Sequence, residues 1–417
     1  MFKKITILLS YVYFFITLLA ILSPVSINSF GFLPGIILLW IIYYLYANNF
    51  KKSTVVWKQQ EKNRSDTTTL VVLTIAHFIF YPLYTEFYTG ISIVTGFNNF
   101  LSGISSYALY QKHFQYNDLA VLSLEKSPFI IINGVLRFFF VSSIIKIIGL
   151  RKEIGWFELV SLISMSSIII FVSFSRGTTF EVFEVVVIWV YAITVRNYTN
   201  SIKSLWTRKQ KAILLTSFVI VIIFFFFNIQ LRMGQGYSFF QNAAFDKDSL
   251  VFQYFPTIAQ IMYVLYDYFA FGINYTSILI TNFWFTSYDG VTSFFFPDII
   301  LNINSNHNNY RDIVSGYVNL GARWNPDLTI LIQRLGFPVT VIIIAYMGKI
   351  SQRIANESQY CLINAVFLYY SFYAMFTLPV GNFITSSSAN IISIFIVLLV
   401  RYLYKKNIII LRFFSLK

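Results

Sequence analysis

Arg176 is the residue whose type and position most clearly suggest chemistry. It follows the strongly apolar segment Phe157–Phe174 and precedes Gly177, whose small size would let a bulky ligand approach the backbone. A charge at membrane depth normally faces a cavity or a partner, and the planar fork of arginine donors suits phosphate. We therefore predict that Arg176 binds a phosphate group. The alternatives are a structural ion pair, with Glu184 on a shared helical face or with the nearby Glu181, and extension of the side chain to the membrane surface.

A second group of candidates lies between Met233 and Asn325, the longest interruption between apolar segments. Its amide-rich run, Asn302–Asn309, contains His307 and leads into Arg311. Histidine is the side chain that titrates near neutral pH without perturbation, so His307 is our first candidate for a general base. If this piece is helical, His307 and Arg311 point to the same side. The alternative is a solvated loop histidine.

Two more arginines flank the end of this stretch. Arg323 lies just before the sequence Asn325-Pro326-Asp327, which predicts a helix start: asparagine caps, proline suits the first turn and aspartate complements the helix dipole. Arg334 would then lie about two turns into the helix, and we expect it to face an internal cavity.

Composition predicts the elements that must position these residues. The chain has 417 residues, of which 57% are hydrophobic and 12% are charged, whereas soluble domains carry about 25% charged residues. Several apolar runs approach the ~20 residues that a membrane-spanning helix needs. We therefore expect an all-α polytopic membrane protein. A single cysteine and three histidines give no basis for a disulfide framework or a zinc centre, and we expect neither a metal nor a cofactor.

The net charge of +14 invites a nucleic-acid interpretation, but the positions of the charges favour another. Lysine and arginine concentrate in the cytoplasmic loops of membrane proteins. With both termini in the cytoplasm, all but nine of the 31 basic residues fall on the cytoplasmic side; the exceptions are Lys112, Lys126, Arg137, Arg176, Arg232, Lys247, Arg311, Arg323 and Arg334. Membrane topology thus accounts for the charge, and we expect no nucleic-acid partner.

This topology gives about ten spans. They are Ile5–Leu22, Phe32–Tyr46, Leu70–Tyr88, Pro128–Ile148, Phe157–Phe174, Thr178–Val195, Ile213–Ile229, Leu328–Met347, Leu362–Leu378 and Ile391–Leu403. The segment Thr257–Phe285 is apolar enough for a re-entrant pair or two short crossings. Two further crossings would give twelve spans. We expect an N-terminal bundle of about seven spans over residues 1–231, a large outer loop over 232–326 that has room for re-entrant or amphipathic helices, and about three C-terminal spans over 327–417.

These features together resemble the Wzy-type O-antigen polymerases, the oligosaccharide repeat-unit polymerases of bacterial envelopes. The resemblance rests on the Ser175-Arg176-Gly177 turn between two spans, on the long outer loop, and on the re-entry from Asn325-Pro326-Asp327 to Arg334-Leu335-Gly336. The Asn306–Tyr310 piece is similar to the His-Asn motif of the related O-antigen ligases.

The resemblance implies a GT-C-like, metal-independent glycosyltransferase of the bacterial inner membrane. Its substrates would be undecaprenyl-diphosphate-linked oligosaccharides, and a chain-length regulator protein is a further expected partner. The growing glycan would move at the periplasmic face from one lipid diphosphate to a new lipid-linked unit. Arg176, Arg311, Arg323 and Arg334 would then stabilise the departing diphosphate, and His307, or next Asp312, would take the proton of the acceptor hydroxyl.

Two other functions fit parts of the pattern. An O-antigen ligase would share the His-Asn piece. A lipid-linked oligosaccharide flippase or other transporter is a different class, in which we expect 12 or 14 evenly spaced spans with short loops. The uneven loop length here favours the polymerase.

Overall fold

The computed structural model describes residues 2–25, 29–52, 57, 64–117, 123–200, 202, 204–233, 245–282, 326–357, 361–385 and 387–406. Its regular elements in these ranges are helical, with one isolated antiparallel bridge between Val25 and Phe245. The prediction of an all-α fold is confirmed for this part of the chain.

The first half of the described chain holds nine helices. They are α1 (Phe2–Leu22), α2 (Leu33–Asn48), α3 (Arg64–Thr89), α4 (Ile93–Leu101), α5 (Tyr107–Tyr116), α6 (Ser127–Ile144), α7 (Trp156–Arg176), α8 (Phe180–Thr199) and α9 (Arg208–Met233). A π-helical extension, Ile145–Leu150, continues α6, and short 3-10 turns cover Ser29–Phe32 and Asn49–Lys52.

Seven helices follow in the described part of the second half. They are α10 (Leu250–Tyr254), α11 (Pro256–Leu265), α12 (Phe271–Asn282), α13 (Asp327–Leu335), α14 (Phe337–Ala355), α15 (Cys361–Thr377) and α16 (Ser388–Lys405). A π-helical segment, Tyr266–Ala270, joins α11 to α12.

By length and composition, six helices in the described ranges can cross a membrane. They contain Ile5–Leu22, Asp66–Thr89, Ser127–Leu150, Trp156–Arg176, Arg208–Leu231 and Ser388–Lys405, and two shorter apolar helices cover Leu33–Asn48 and Leu362–Thr377. In α9, large apolar side chains lie on the surface, including Ile213, Ile220 and Ile223 at 60–63% exposure. A helix that is apolar all round and exposed is suited to lipid rather than to water. This architecture is that of a helical membrane protein.

Each of the ten predicted spans lies largely in helix, but the eighth, Leu328–Met347, is not one helix. It is divided at Gly336, which separates α13 from α14 and has φ 77° and ψ 159°. Positive φ is open to glycine, and Pro338 in the first turn of α14 cannot donate a backbone N–H to a preceding turn. The expectation of a continuous eighth helix was therefore wrong, and Gly336 and Pro338 explain the break.

Part of the predicted outer loop packs within the bundle. The Ser277 hydroxyl of α12 accepts a hydrogen bond of 2.8 Å from the Gly35 N–H of α2. The Gln333 amide of α13 donates to the Tyr275 hydroxyl over 2.5 Å. Residues 256–282 thus form a nearly continuous helical rod beside α2 and α13. Residues 234–244 and 283–325 of the predicted loop lie outside the described residues.

Candidate functional site

Arg176 is the last residue of α7, and its position follows from a glycine helix end. Gly177 takes the left-handed conformation with φ 61°. Its N–H bonds to the Phe174 carbonyl over 3.3 Å, and the Thr178 N–H bonds to the Ser173 carbonyl over 3.1 Å. This is the usual way in which a glycine after a helix satisfies the last carbonyls. The turn places the arginine at the end of the bundle that we predict to face outward.

The Arg176 guanidinium forms an ion pair with Glu181, in the first turn of α8. The other carboxylate oxygen of Glu181 accepts hydrogen bonds from Ser173 Oγ at 3.0 Å and Thr178 Oγ1 at 3.3 Å. The Arg176 side chain is 24% exposed, whereas that of Glu181 is 7% exposed. The alternative of an arginine–glutamate pair is thus seen, and one side of the arginine remains accessible.

Two short helices, α4 and α5, pack against the end of α7 that carries this arginine. The guanidinium carbon lies 5.4 Å from the centre of the Tyr110 ring of α5, within the range of a cation–π contact. The Ser175 hydroxyl donates to the Ser92 carbonyl over 3.2 Å at the start of α4. A Cβ at Gly177 would lie 2.7 Å from the Tyr107 backbone nitrogen, so α5 approaches the turn closely. Nothing in the sequence pattern predicted Tyr110 as a neighbour of Arg176.

A second buried ion pair lies one helical turn deeper. Glu184 pairs with Arg137 of α6 and not with Arg176. Its other oxygen accepts hydrogen bonds from the Tyr373 hydroxyl at 2.9 Å and from the Asn390 amide at 3.0 Å. The predicted shared face of Arg176 and Glu184 was wrong because α7 ends at Arg176, so the two residues lie on different helices. A charge within an apolar segment is the signal that singled out Arg176, and Arg137 carries the same signal.

The space beside this second pair is small. A cavity lined by Arg137, Glu184, Asn390 and apolar neighbours has room for about one water molecule. A sugar or a diphosphate does not fit there. The deeper pair is therefore part of the bundle interior, whereas Arg176 keeps an accessible side.

A third charged cluster lies at the opposite end of α7. Arg151 is fully buried and contacts both Asp66 of α3 and Glu158 of α7, the latter at 2.6 Å. Lys146 completes the cluster through a 2.8 Å contact with Asp66. Glu158 and Arg176 are 18 residues apart on one helix, which corresponds to about 27 Å. This cluster is therefore separate from the Arg176 site.

The other predicted site residues are only partly covered by the structure. Arg334 is the next-to-last residue of α13, two residues before the break at Gly336. His307, Arg311, Asp312 and Arg323 lie outside the described residues, so their predicted roles stay predictions. Within the described ranges, no three His, Cys, Asp or Glu side chains form a group that could hold a metal ion.

The start of α13 is anchored at the same end of the bundle as Arg176. Asp327 accepts hydrogen bonds from the backbone N–H groups of Ile384 and Thr385 at 2.9 and 2.8 Å. The adjacent Phe383 ring stacks on Phe180, the residue before Glu181, with 5.0 Å between the ring centres. Burial raises the pKa of the Asp327 carboxyl, and the bonds from Thr385 and Ile384 offset part of this rise. The Asp327 side chain thus ties the start of α13 to the loop between α15 and α16.

Comparison of the chain with protein-family models finds no match. Comparisons with curated proteins and with solved structures find no match either.

Proposed function

We propose that this chain is a surface-polysaccharide polymerase of the bacterial inner membrane, with a GT-C-like fold. It would join oligosaccharide repeat units carried on undecaprenyl diphosphate. The observation that carries the proposal is the partly exposed Arg176, held at the end of a membrane helix between Glu181 and Tyr110. An accessible guanidinium at the membrane boundary suits a lipid-linked diphosphate, whose charged group lies at that depth.

The proposed reaction is a glycosyl transfer. The acceptor hydroxyl oxygen forms a bond to the anomeric carbon of the donor glycan, and the bond from that carbon to the diphosphate oxygen breaks. The lipid diphosphate leaves with the electron pair, and the hydroxyl proton passes to a base. In this proposal His307, or next Asp312, is the base, and Arg176, Arg311, Arg323 and Arg334 stabilise the charge that develops on the diphosphate. No metal or nucleotide sugar takes part.

The break between α13 and α14 gives this proposal secondary support. Discontinuous helices in membrane proteins place backbone ends and polar side chains where a substrate can meet them. The short α13 begins at the end of the bundle that holds Arg176, because Asp327 binds the loop next to Phe383. The start of α13 is thereby connected to the region of Arg176.

The lipopolysaccharide ladder of a deletion strain tests the function. Lipid A core carrying a single repeat unit supports a polymerase. Core without any unit points to the ligase or the flippase instead, and an unchanged ladder rules out all three. In complemented strains, R176A should abolish chain extension at normal protein abundance, whereas K112A, which removes an exposed cation from α5, should restore the full ladder. A full ladder with R176A would refute phosphate binding by Arg176.

A further inference from the structure

We propose that Glu181 is an exchangeable counter-ion that occupies Arg176 in the empty site and yields it to an anionic ligand. This inference rests on the proposed function only for the identity of the natural ligand, a lipid-linked diphosphate. The inference rests on one geometric observation: a partly exposed guanidinium pairs with a carboxylate that also accepts hydrogen bonds from two hydroxyl groups.

The contacts of Glu181 are divided between its two oxygens. Oε1 pairs with Arg176, and Oε2 accepts hydrogen bonds from the Ser173 and Thr178 hydroxyls. If a ligand takes the guanidinium, the two hydroxyls still compensate part of the carboxylate charge. Removing a partner from a buried charge is costly unless other hydrogen bonds remain. These hydroxyl donors therefore make exchange feasible at this position.

The deeper pair, Arg137–Glu184, serves as a comparison, because Glu184 lies on the same helix as Glu181 and is held in place by more partners. Glu184 is held by Arg137, Tyr373 and Asn390, which come from three other helices. The Arg137 side chain is 11% exposed, less than half of the value for Arg176. The two pairs have the same chemistry and lie one turn apart, but only the outer one combines solvent access with a neighbouring set of hydroxyl donors.

Exchange would control how tightly the site holds its ligand. In the site without ligand, the Glu181 carboxylate already occupies the guanidinium. A ligand that must displace it therefore binds more weakly than it would bind to an unpaired guanidinium. When the product diphosphate dissociates, Glu181 returns and keeps Arg176 from being left as an unpaired charge. Glu181 is thus a positioning residue that favours release and acts through Arg176.

Binding of inorganic pyrophosphate to the purified full-length protein tests this inference. Isothermal titration should give about a 10-fold lower Kd for E181Q than for the wild-type protein, because the competing charge is gone. R176Q should show no binding above background. The control E86Q makes the same chemical change at an exposed carboxylate of α3 at this end of the bundle, and its Kd should match the wild type.

A second variant predicts the opposite direction and guards against misfolding of E181Q. Ser173 bonds to Glu181 in the paired state too, but a hydrogen bond to a buried carboxylate contributes more once its paired cation has left, so S173A should bind pyrophosphate about 3-fold more weakly. An unchanged or higher Kd for E181Q at a wild-type thermal midpoint overturns the inference, as does tighter binding by S173A. Absence of pyrophosphate binding by the wild-type protein also overturns it. The proposed function is tested separately, by the ladder of the deletion strain. The outcome of that test does not depend on the pyrophosphate affinities.

Discussion

Arg137 of α6 and Glu184 of α8 form an ion pair inside the bundle, although 47 residues separate them in sequence. Tyr373 of α15 and Asn390 of α16 donate to the same carboxylate. One glutamate thus connects the N-terminal helices to the C-terminal ones. Glu181, the partner of Arg176, lies one helical turn before Glu184 on α8.

Breaking the deeper pair on one side should destabilise the fold strongly. R137M leaves the Glu184 charge buried without its cation, which costs about 3–5 kcal/mol, whereas removing both charges is far less costly. We expect the thermal midpoint in detergent, followed by tryptophan fluorescence, to fall in R137M and to recover in the double variant R137M/E184M. A wild-type midpoint for R137M would show that the pair does not contribute to stability, and a double variant no more stable than R137M would show that the loss does not come from the uncompensated Glu184 charge.

The cluster at the other end of α7 should respond in a graded way. Arg151 contacts two carboxylates and Lys146 contacts one, so R151M should lower the thermal midpoint more than K146M. R151M removes the ion pair of Glu158 and one of the two ion pairs of Asp66, whereas K146M leaves Asp66 paired with Arg151. The neighbouring K152M changes an exposed side chain and should leave the midpoint unchanged. A smaller effect of R151M than of K146M would contradict the assigned contacts.

The Gly177 turn offers a matched pair of glycine substitutions. Gly177 and Gly103 both have left-handed backbones, with φ 61° and 72°. A Cβ at Gly177 meets the Tyr107 backbone at 2.7 Å, whereas at Gly103 the nearest atom lies 4.0 Å away. Both substitutions cost about 1 kcal/mol of backbone strain, but G177A must also displace α5 and with it Tyr110.

We therefore expect G177A, and not G103A, to shorten the polysaccharide chains in the ladder assay while both proteins remain abundant. If the two variants have the same ladder, the position of α5 over Arg176 does not matter for activity.

Glu357 should make stability depend on pH in the acidic range. Burial alone would raise the pKa of its carboxyl. Hydrogen bonds and charges from Lys405, at 2.9 Å, and from Arg401 lower the pKa by more than burial raises it, so the pKa lies below the ordinary value of 4.5. The stabilisation is therefore fully present above pH 4.5 and is lost as the pH falls through the lowered pKa of the folded state.

The measurement is the difference in thermal midpoint between the wild-type protein and E357Q from pH 7 to pH 3. This difference should be constant at neutral pH and shrink below pH 4.5. A difference that stays constant throughout would mean that the ion pairs of Glu357 do not contribute to stability.

The sequence by itself determined the helices, because the length of an apolar run is a local property that a membrane helix requires. Its ten apolar segments lie largely in helices, and the end of α7 could be anticipated from Gly177. Gly336 and Pro338 carried the signal for the break before α14 as well, but the strong apolar pattern on both sides concealed it.

Only the tertiary structure decided the partners of the charges. Glu181 and Glu184 are equally plausible partners of Arg176 by sequence distance, yet helix packing pairs the first with Arg176 and the second with Arg137. The contact of Tyr110 with Arg176 likewise depends on how α5 folds back over α7. Apolar periodicity specifies which segments become helices, but it does not encode which helices become neighbours. That choice depends on packing between residues far apart in sequence, and it is this packing that leaves Arg176 paired, partly exposed and accessible to a ligand.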